Sequence, residues 1–214
     1  MPTLFSYVDR YDYGLSPNPS GGYCTLAFCK VRRPDGMPNV VELAQVGDWI
    51  AGTGGKSDLS AGHGKLVYAM QVTEKLTLRE YFRDVRFRHR AGNVPEWSDE
   101  TEMYALISDH FFYFGAEAPD LCHPIEKRGP GFRRHFDDRL VEDFINWIEG
   151  RWAVGIHGLP CVLHPDAEWV ERERVICGLC GDSDGQQPRR SEQPACRPSK
   201  RKPRPFLSGR GSCR

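Results

Sequence analysis

The stretch from Val46 to Glu74, VGDWIAGTGGKSDLSAGHGKLVYAMQVTE, constrains the fold more than any other part of the chain. A Gly-Asp turn opens one apolar run, a glycine-rich loop follows, and a second apolar run closes the segment. That is the pattern of two paired strands. Val46 to Thr53 and Lys65 to Thr73 are therefore expected to pair, in an arrangement that suits a small barrel with an open mouth.

The remaining elements are placed around that pair. Leu4 to Val8 has the bulky, β-branched content of a first strand, and Tyr11 to Gly22 (YDYGLSPNPSGG) is a long loop of turn formers. Tyr23 to Val31 reads equally as a short buried strand or a helix, because so few residues carry no decisive period. Gly36 to Gln45 reads as an irregular lead-in and Arg83 to Glu102 as a charged loop. Thr77, with Glu80 three residues later, forms a capping box that should start a short helix. Leu106 to Phe114 reads as one strong strand. Asp137 to Gly150 is the clearest helix, with Leu140, Val141, Phe144, Ile145 and Ile148 at helical spacing and acidic residues at its positive end. Strands interrupted by one or two short helices, without regular βαβ alternation, predict an α+β domain built on a small barrel with flanking helices.

The 214 residues hold one ordinary domain plus appendages. An ordered body is expected over 1–160, an extension over 161–180 and a disordered tail over 181–214. That tail is rich in Pro, Arg, Ser and Gly and buries too little apolar surface to offset its ordering entropy. It carries nine basic residues against three acidic ones, a net +6 that leaves the rest of a formally neutral chain at −6. Such a tail either grips phosphates without selectivity or is merely solvated. No segment approaches the roughly 20 apolar residues that span a bilayer, and the N-terminus has no basic, then apolar, export pattern. A cytoplasmic address with reduced cysteines, and no membrane partner, is the expectation.

Ser108 to Gly115 (SDHFFYFG) sets Asp109 and His110 beside Phe111, Phe112, Tyr113 and Phe114. A base freed from its stack offers two π faces and a hydrogen-bonding edge, so a reader needs aromatic walls with a fixed donor and acceptor. Asp109, His110, Tyr113 and Trp49 supply those types, and Asp12, Asn18 and Thr53 are further candidates. Alternate strand residues face opposite sides, so Asp109, Phe111 and Tyr113 should share one face and His110, Phe112 and Phe114 the other. The phenylalanines read as core. Asp12, Asn18 and Ser20 read first as loop residues bonding their own backbone, and Asp48 as a turn residue.

In the glycine loop, Gly54, Gly55 and Lys56 are candidates for phosphate contact. Gly55, Lys56 and Ser57 echo the end of a phosphate-binding loop, but Ile50 stands where its first glycine is required, so nucleotide hydrolysis is excluded. Cys177 and Cys180 form a C-x-x-C pair, and Cys122, His123, His157, Cys161 and His164 are scattered without a second pair at finger spacing. No metal and no cofactor are expected. Cys24 or Cys29 with His110 or His157 could assemble a nucleophile and base, yet the chain lacks G-x-S-x-G, H-E-x-x-H and deaminase signatures.

Four separated motifs, LSPNPSGGYCTLAFCKVR, AQVGDWIAGTGGK, GKLVYAMQVTEKLTLREYF and SDHFFYFG, resemble in the same order the nucleotide modification associated domain 2 family of bacteria and phages, over about Leu4 to Gly158. The resemblance implies a role in DNA base modification, or in restriction of modified DNA. The GDW strand with the apolar strand and short helix after it also resembles the PUA superfamily, with its ASCH, EVE and YTH domains, which implies a small barrel holding RNA or a modified base. The leading expectation is a reader that binds without catalysis, its partner DNA or a modified nucleotide, with RNA possible. An enzyme using Asp109 or His110 as acid or base is the competing class, and an accessory partner of a DNA-modification enzyme the third.

Overall fold

The computed structural model describes residues 1–27, 38–87, 90, 103–127, 129 and 131–162. The tail over 181–214, the Cys177 and Cys180 pair and all but the start of the 161–180 extension lie outside the described residues. The architecture is mixed α+β and dominated by strands. Strands β1 (Leu4–Asp9), β4 (Trp49–Gly54), β5 (Leu66–Gln71), β8 (His110–Tyr113), β9 (Phe132–Arg133) and β10 (Gly155–Ile156) form one sheet, in the order β10-β8-β5-β4-β1-β9. Strands β2 (Asn18–Ser20), β3 (Tyr23–Leu26), β7 (Tyr104–Ser108) and β6 (Glu74–Thr77) form a second, in the order β2-β3-β7-β6. Among the described residues neither sheet closes on itself.

Side-chain alternation explains how the sheets pack. From β1, Phe5 and Tyr7 enter one core with Ile50, Tyr68, Met70, Phe111 and Tyr113 of the same sheet and Cys24, Leu26 and Leu106 of the other. This core fills the space between the sheets. Leu4, Trp49, Ala51, Ala69, Phe112 and Phe114 point the opposite way, onto helix α3 (Asp138–Glu149). Val141, Phe144 and Ile148 supply that helix's buried stripe, as its spacing predicts. The outer face of the second sheet packs Ala105 and Ile107 against Tyr81 of helix α2 (Leu78–Arg83) and against Phe87. The order of layers is thus α3, first sheet, second sheet, α2.

The pairing of β4 with β5 is antiparallel, as the glycine-rich segment predicts. Helix α2 starts at the Thr77 cap with the reciprocal Glu80 bond, and these bonds hold the Glu80 carboxyl below its ordinary range. Three expectations are corrected. Gly36 to Gln45 is not wholly irregular, because Asn39 and Glu42 form a second capping box that starts a one-turn helix, α1 (Val40–Leu43). The loop Tyr11 to Gly22 contains β2, which pairs with β3 across Gly21 and Gly22; both glycines have positive φ, 54° and 79°, as a tight hairpin requires. That pairing also makes Tyr23 to Leu26 a strand.

Leu106 to Phe114 is two strands in different sheets. Ser108 Oγ accepts the His110 N–H at 3.1 Å and donates to the His110 carbonyl at 2.8 Å. Asp109 gives its own N–H to Thr73 Oγ1 at 3.2 Å, so the chain leaves one ladder and enters the other.

Gly54 closes the β4–β5 turn region by close backbone approach. A Cβ there would lie 2.0 Å from the Gly62 carbonyl oxygen, and that neighbour is main chain and cannot swing aside. Gly54→Ala is expected to destabilise the fold by about 3 kcal/mol, the upper range of overpacking, read as a lowered urea midpoint with an unchanged slope. A midpoint equal to wild type would contradict this packing.

Candidate functional site

The space between the sheets is apolar except along one polar seam, entered by the loop after β1. Arg10 and Tyr11 are exposed there, whereas Asp12 is 1% exposed. The Tyr113 hydroxyl donates to Asp12 Oδ1 at 2.6 Å and the Gly14 N–H reaches the same oxygen at 3.2 Å. Cys161 N–H donates to Oδ2 at 3.1 Å. The Asp12 main chain is engaged as well, giving its N–H to the Leu59 carbonyl and accepting from Val162 N–H, each at 3.0 Å. Burial pushes the Asp12 carboxyl above its ordinary value, and the donors aimed at it only partly offset that cost. Burial, and then the neighbouring Asp12, raise the Tyr113 phenol well above its usual range.

A second polar group lies on the outer face of the second sheet, beside α2, where Asn18 and Thr25 are register partners in the β2–β3 hairpin. Thr25 Oγ1 and the Tyr81 hydroxyl lie 2.9 Å apart. The Arg90 guanidinium donates to Thr25 Oγ1 at 3.3 Å and to the Asn18 carbonyl at 3.2 Å, and it also reaches the Ser20 carbonyl. Cys24 is completely buried and feels the charges of both Arg90 and Asp12. Burial drives its thiol far above the usual range, so it is an inert wall and no thiolate nucleophile. The Tyr7 and Tyr68 hydroxyls meet at 2.7 Å. Gly52 leaves room for that ring, since a Cβ there would fall 2.3 Å from Tyr68 Cε1. On the hairpin, Asn18 Oδ1 is buried without a hydrogen-bond partner. An acceptor left so costs about 1–3 kcal/mol.

The structure distributes the sequence candidates among several places. Asp12 and Tyr113 belong to the seam, and Asn18 to the hairpin group on the second sheet's outer face. Thr53 is buried on β4 and donates to the Tyr7 carbonyl at 3.1 Å. Trp49 and His110 lie on the other face of the first sheet, their rings 5.6 Å apart and edge to face, with Trp49 stacked on Phe112. His110 Nε2 is 2.9 Å from Glu149 Oε1 of α3. Asp109 is exposed at the crossing between the sheets. In the glycine loop, Gly54 gives its N–H to the Lys65 carbonyl and Gly55 to Ser60 Oγ, both at 2.9 Å, while Lys56 is exposed. Asp48 accepts from the Thr3 and Gln45 N–H groups, which is the turn role read from sequence.

Sequence reasoning missed Tyr7, Tyr68 and Cys161 between the sheets and Thr25, Tyr81 and Arg90 on the outer face of the second. Strand alternation would have set Tyr7 beside Phe5, and a buried tyrosine hydroxyl needs a partner. Nothing in spacing points Cys161 at Asp12, 149 residues earlier. Among the described residues, no group of three His, Cys, Asp or Glu is placed to hold a metal ion, and no helix is long and apolar enough to cross a membrane.

Tyr113→Phe deprives the buried Asp12 of its shortest bond and is expected to cost about 1–3 kcal/mol in urea unfolding. Asp12 also imposes a pH dependence. Its folded pKa lies above the unfolded value near 3.8, so its contribution is complete below that pH and declines as pH rises through the folded pKa. Wild type is expected to lose stability relative to Asp12→Asn between pH 4 and pH 7. A difference that moves the other way would refute the raised carboxyl.

Comparison with known proteins gives one match. The model described as nucleotide modification associated domain 2 matches residues 1–103 and 95–167. No curated protein and no solved structure matches the chain.

Proposed function

The chain belongs to the nucleotide modification associated domain 2 family, and from that premise we propose that the buried polar groups of its β2–β3 hairpin read the edge of a modified or flipped nucleobase without turning it over. One observation carries the reading: Asn18 Oδ1 is a buried, unpartnered acceptor on the β2–β3 hairpin, whose Asn18 carbonyl and Thr25 hydroxyl meet the Arg90 guanidinium. An exocyclic amine or ring N–H of a base would satisfy it. The inert Cys24 thiol speaks for binding over covalent chemistry.

The partner in this reading is DNA or a modified nucleotide, with RNA as a variant, in a bacterial cytoplasm and beside a DNA-modification enzyme. A PUA-like barrel is the finer architecture that would accompany such a pocket, supported by the GDW turn and the paired strands after it. The competing reading is acid–base catalysis by Asp109 or His110, favoured by the 2.9 Å contact that would orient the imidazole against Glu149.

Matched oligonucleotides with and without modified bases, titrated at two salt concentrations, test the proposal. Selectivity for one base that survives high salt is expected. Asn18→Ala should weaken that complex about tenfold, the equivalent of one hydrogen bond of about 1.4 kcal/mol. Equal affinity for all bases, or an Asn18→Ala complex as tight as wild type, would defeat the assignment. Release of an altered base that stops in His110→Ala would establish the enzyme instead.

A further inference from the structure

The loop that carries Asp12 inward carries aromatic and cationic groups outward. Tyr11 is 46% exposed, and its ring stacks on that of Tyr13 with centroids 6.3 Å apart and planes 20° from parallel. The Arg10 guanidinium lies over the Tyr11 ring, 5.4 Å from its centroid. The glycine loop packs directly alongside. A Cβ on Gly55 would lie 3.3 Å from Arg10 Cα, Ser60 Oγ donates to the Asp9 carbonyl at 2.6 Å, and the Asp12 N–H bonds to Leu59. Lys56, exposed on that loop, is thereby brought to the same edge as Arg10. Neither cation has a carboxylate partner among the described residues. Asp58, exposed two residues beyond Lys56, subtracts only part of the positive charge.

We propose that Arg10, Tyr11, Tyr13 and Lys56 form an outer docking site for a nucleotide, its base stacked against the Tyr11–Tyr13 pair and its phosphate between the Arg10 and Lys56 side chains. Stacking on an aromatic face tolerates any base, and unpaired cations on neighbouring loops track phosphate. The site deepens the base-reading proposal and rests on it, since the loop that would hold a nucleotide runs directly into β2, which carries Asn18. Selectivity and grip are then divided: the hairpin discriminates among bases, and the outer surface holds whatever nucleotide is presented. The N–H groups of Gly54 and Gly55 are already bonded within the fold, so Lys56 is the part of the glycine loop left to meet an anion.

The chemistry is shared by a nucleotide within a single strand and by a free mononucleotide, and the experiment separates them. Affinities of the full chain for a labelled single-stranded oligonucleotide and for the corresponding mononucleotide are measured across a salt series, for wild type, Tyr11→Ala, the Arg10→Gln/Lys56→Gln double variant and Asn18→Ala. The basic tail is common to all four and cancels in the comparison. Tyr11→Ala is expected to weaken binding about tenfold with little change in salt dependence. The double variant is expected to flatten the slope of log affinity against log salt by about 0.7 per cation lost, the value for single strands. Losses with both ligands identify the nucleotide itself as the occupant, and losses with the oligonucleotide alone identify the strand. If Tyr11→Ala and the double variant bind like wild type while Asn18→Ala does not, the outer site is overturned and the base-reading proposal stands. If wild type binds neither ligand, both fall.

Discussion

The buried contact between Asp12 and Tyr113 holds together parts of the chain that share no sequence neighbourhood. Through its carboxylate and main chain, Asp12 joins the loop after β1 to β8, to the glycine loop at Leu59 and to the returning segment at Cys161 and Val162. A carboxyl 1% exposed is costly to desolvate. Its position is therefore sustained only because donors converge on it, and removing any one exposes the cost. Packing alone would have filled the position with an apolar side chain.

The other buried polar groups follow the same rule on both faces of the second sheet. Between the sheets, tyrosine hydroxyls from β1 and β5 satisfy each other; on the outer face, Thr25 satisfies Tyr81, and Arg90 ties off the carbonyls of the β2–β3 hairpin. Satisfied networks of this kind specify one arrangement of the core. Asn18 Oδ1, on the hairpin, is a buried acceptor left open, and the proposed base contact rests on it.

Much of the fold was legible because it depends on local periodicity. The β4–β5 pair, the Thr77 cap and the apolar stripe of α3 all read directly from spacing and turn chemistry. The break in SDHFFYFG did not, because a two-residue detour through Ser108 and Asp109 is written in side-chain to backbone bonds and leaves the hydrophobic pattern intact. The site was legible only in part. Asp12 does bond its own loop at Gly14, as an Asx residue should, and the same oxygen also takes the Tyr113 hydroxyl, a contact 101 residues distant that no local pattern encodes. Trp49 and Tyr113, grouped by residue type, are separated by the sheet itself: one packs beneath α3 and the other faces the second sheet.

Base recognition at the β2–β3 hairpin makes a demand on one side-chain amide that can be observed directly. In a nuclear magnetic resonance titration of the isotopically labelled protein with its preferred oligonucleotide, the Asn18 side-chain NH2 resonances are the signals to follow. If a base edge meets Asn18, they are expected to shift and to saturate at the same ligand concentration as binding. Saturated binding with the Asn18 signals unmoved would contradict it, and would leave the nucleic acid on other surfaces alone.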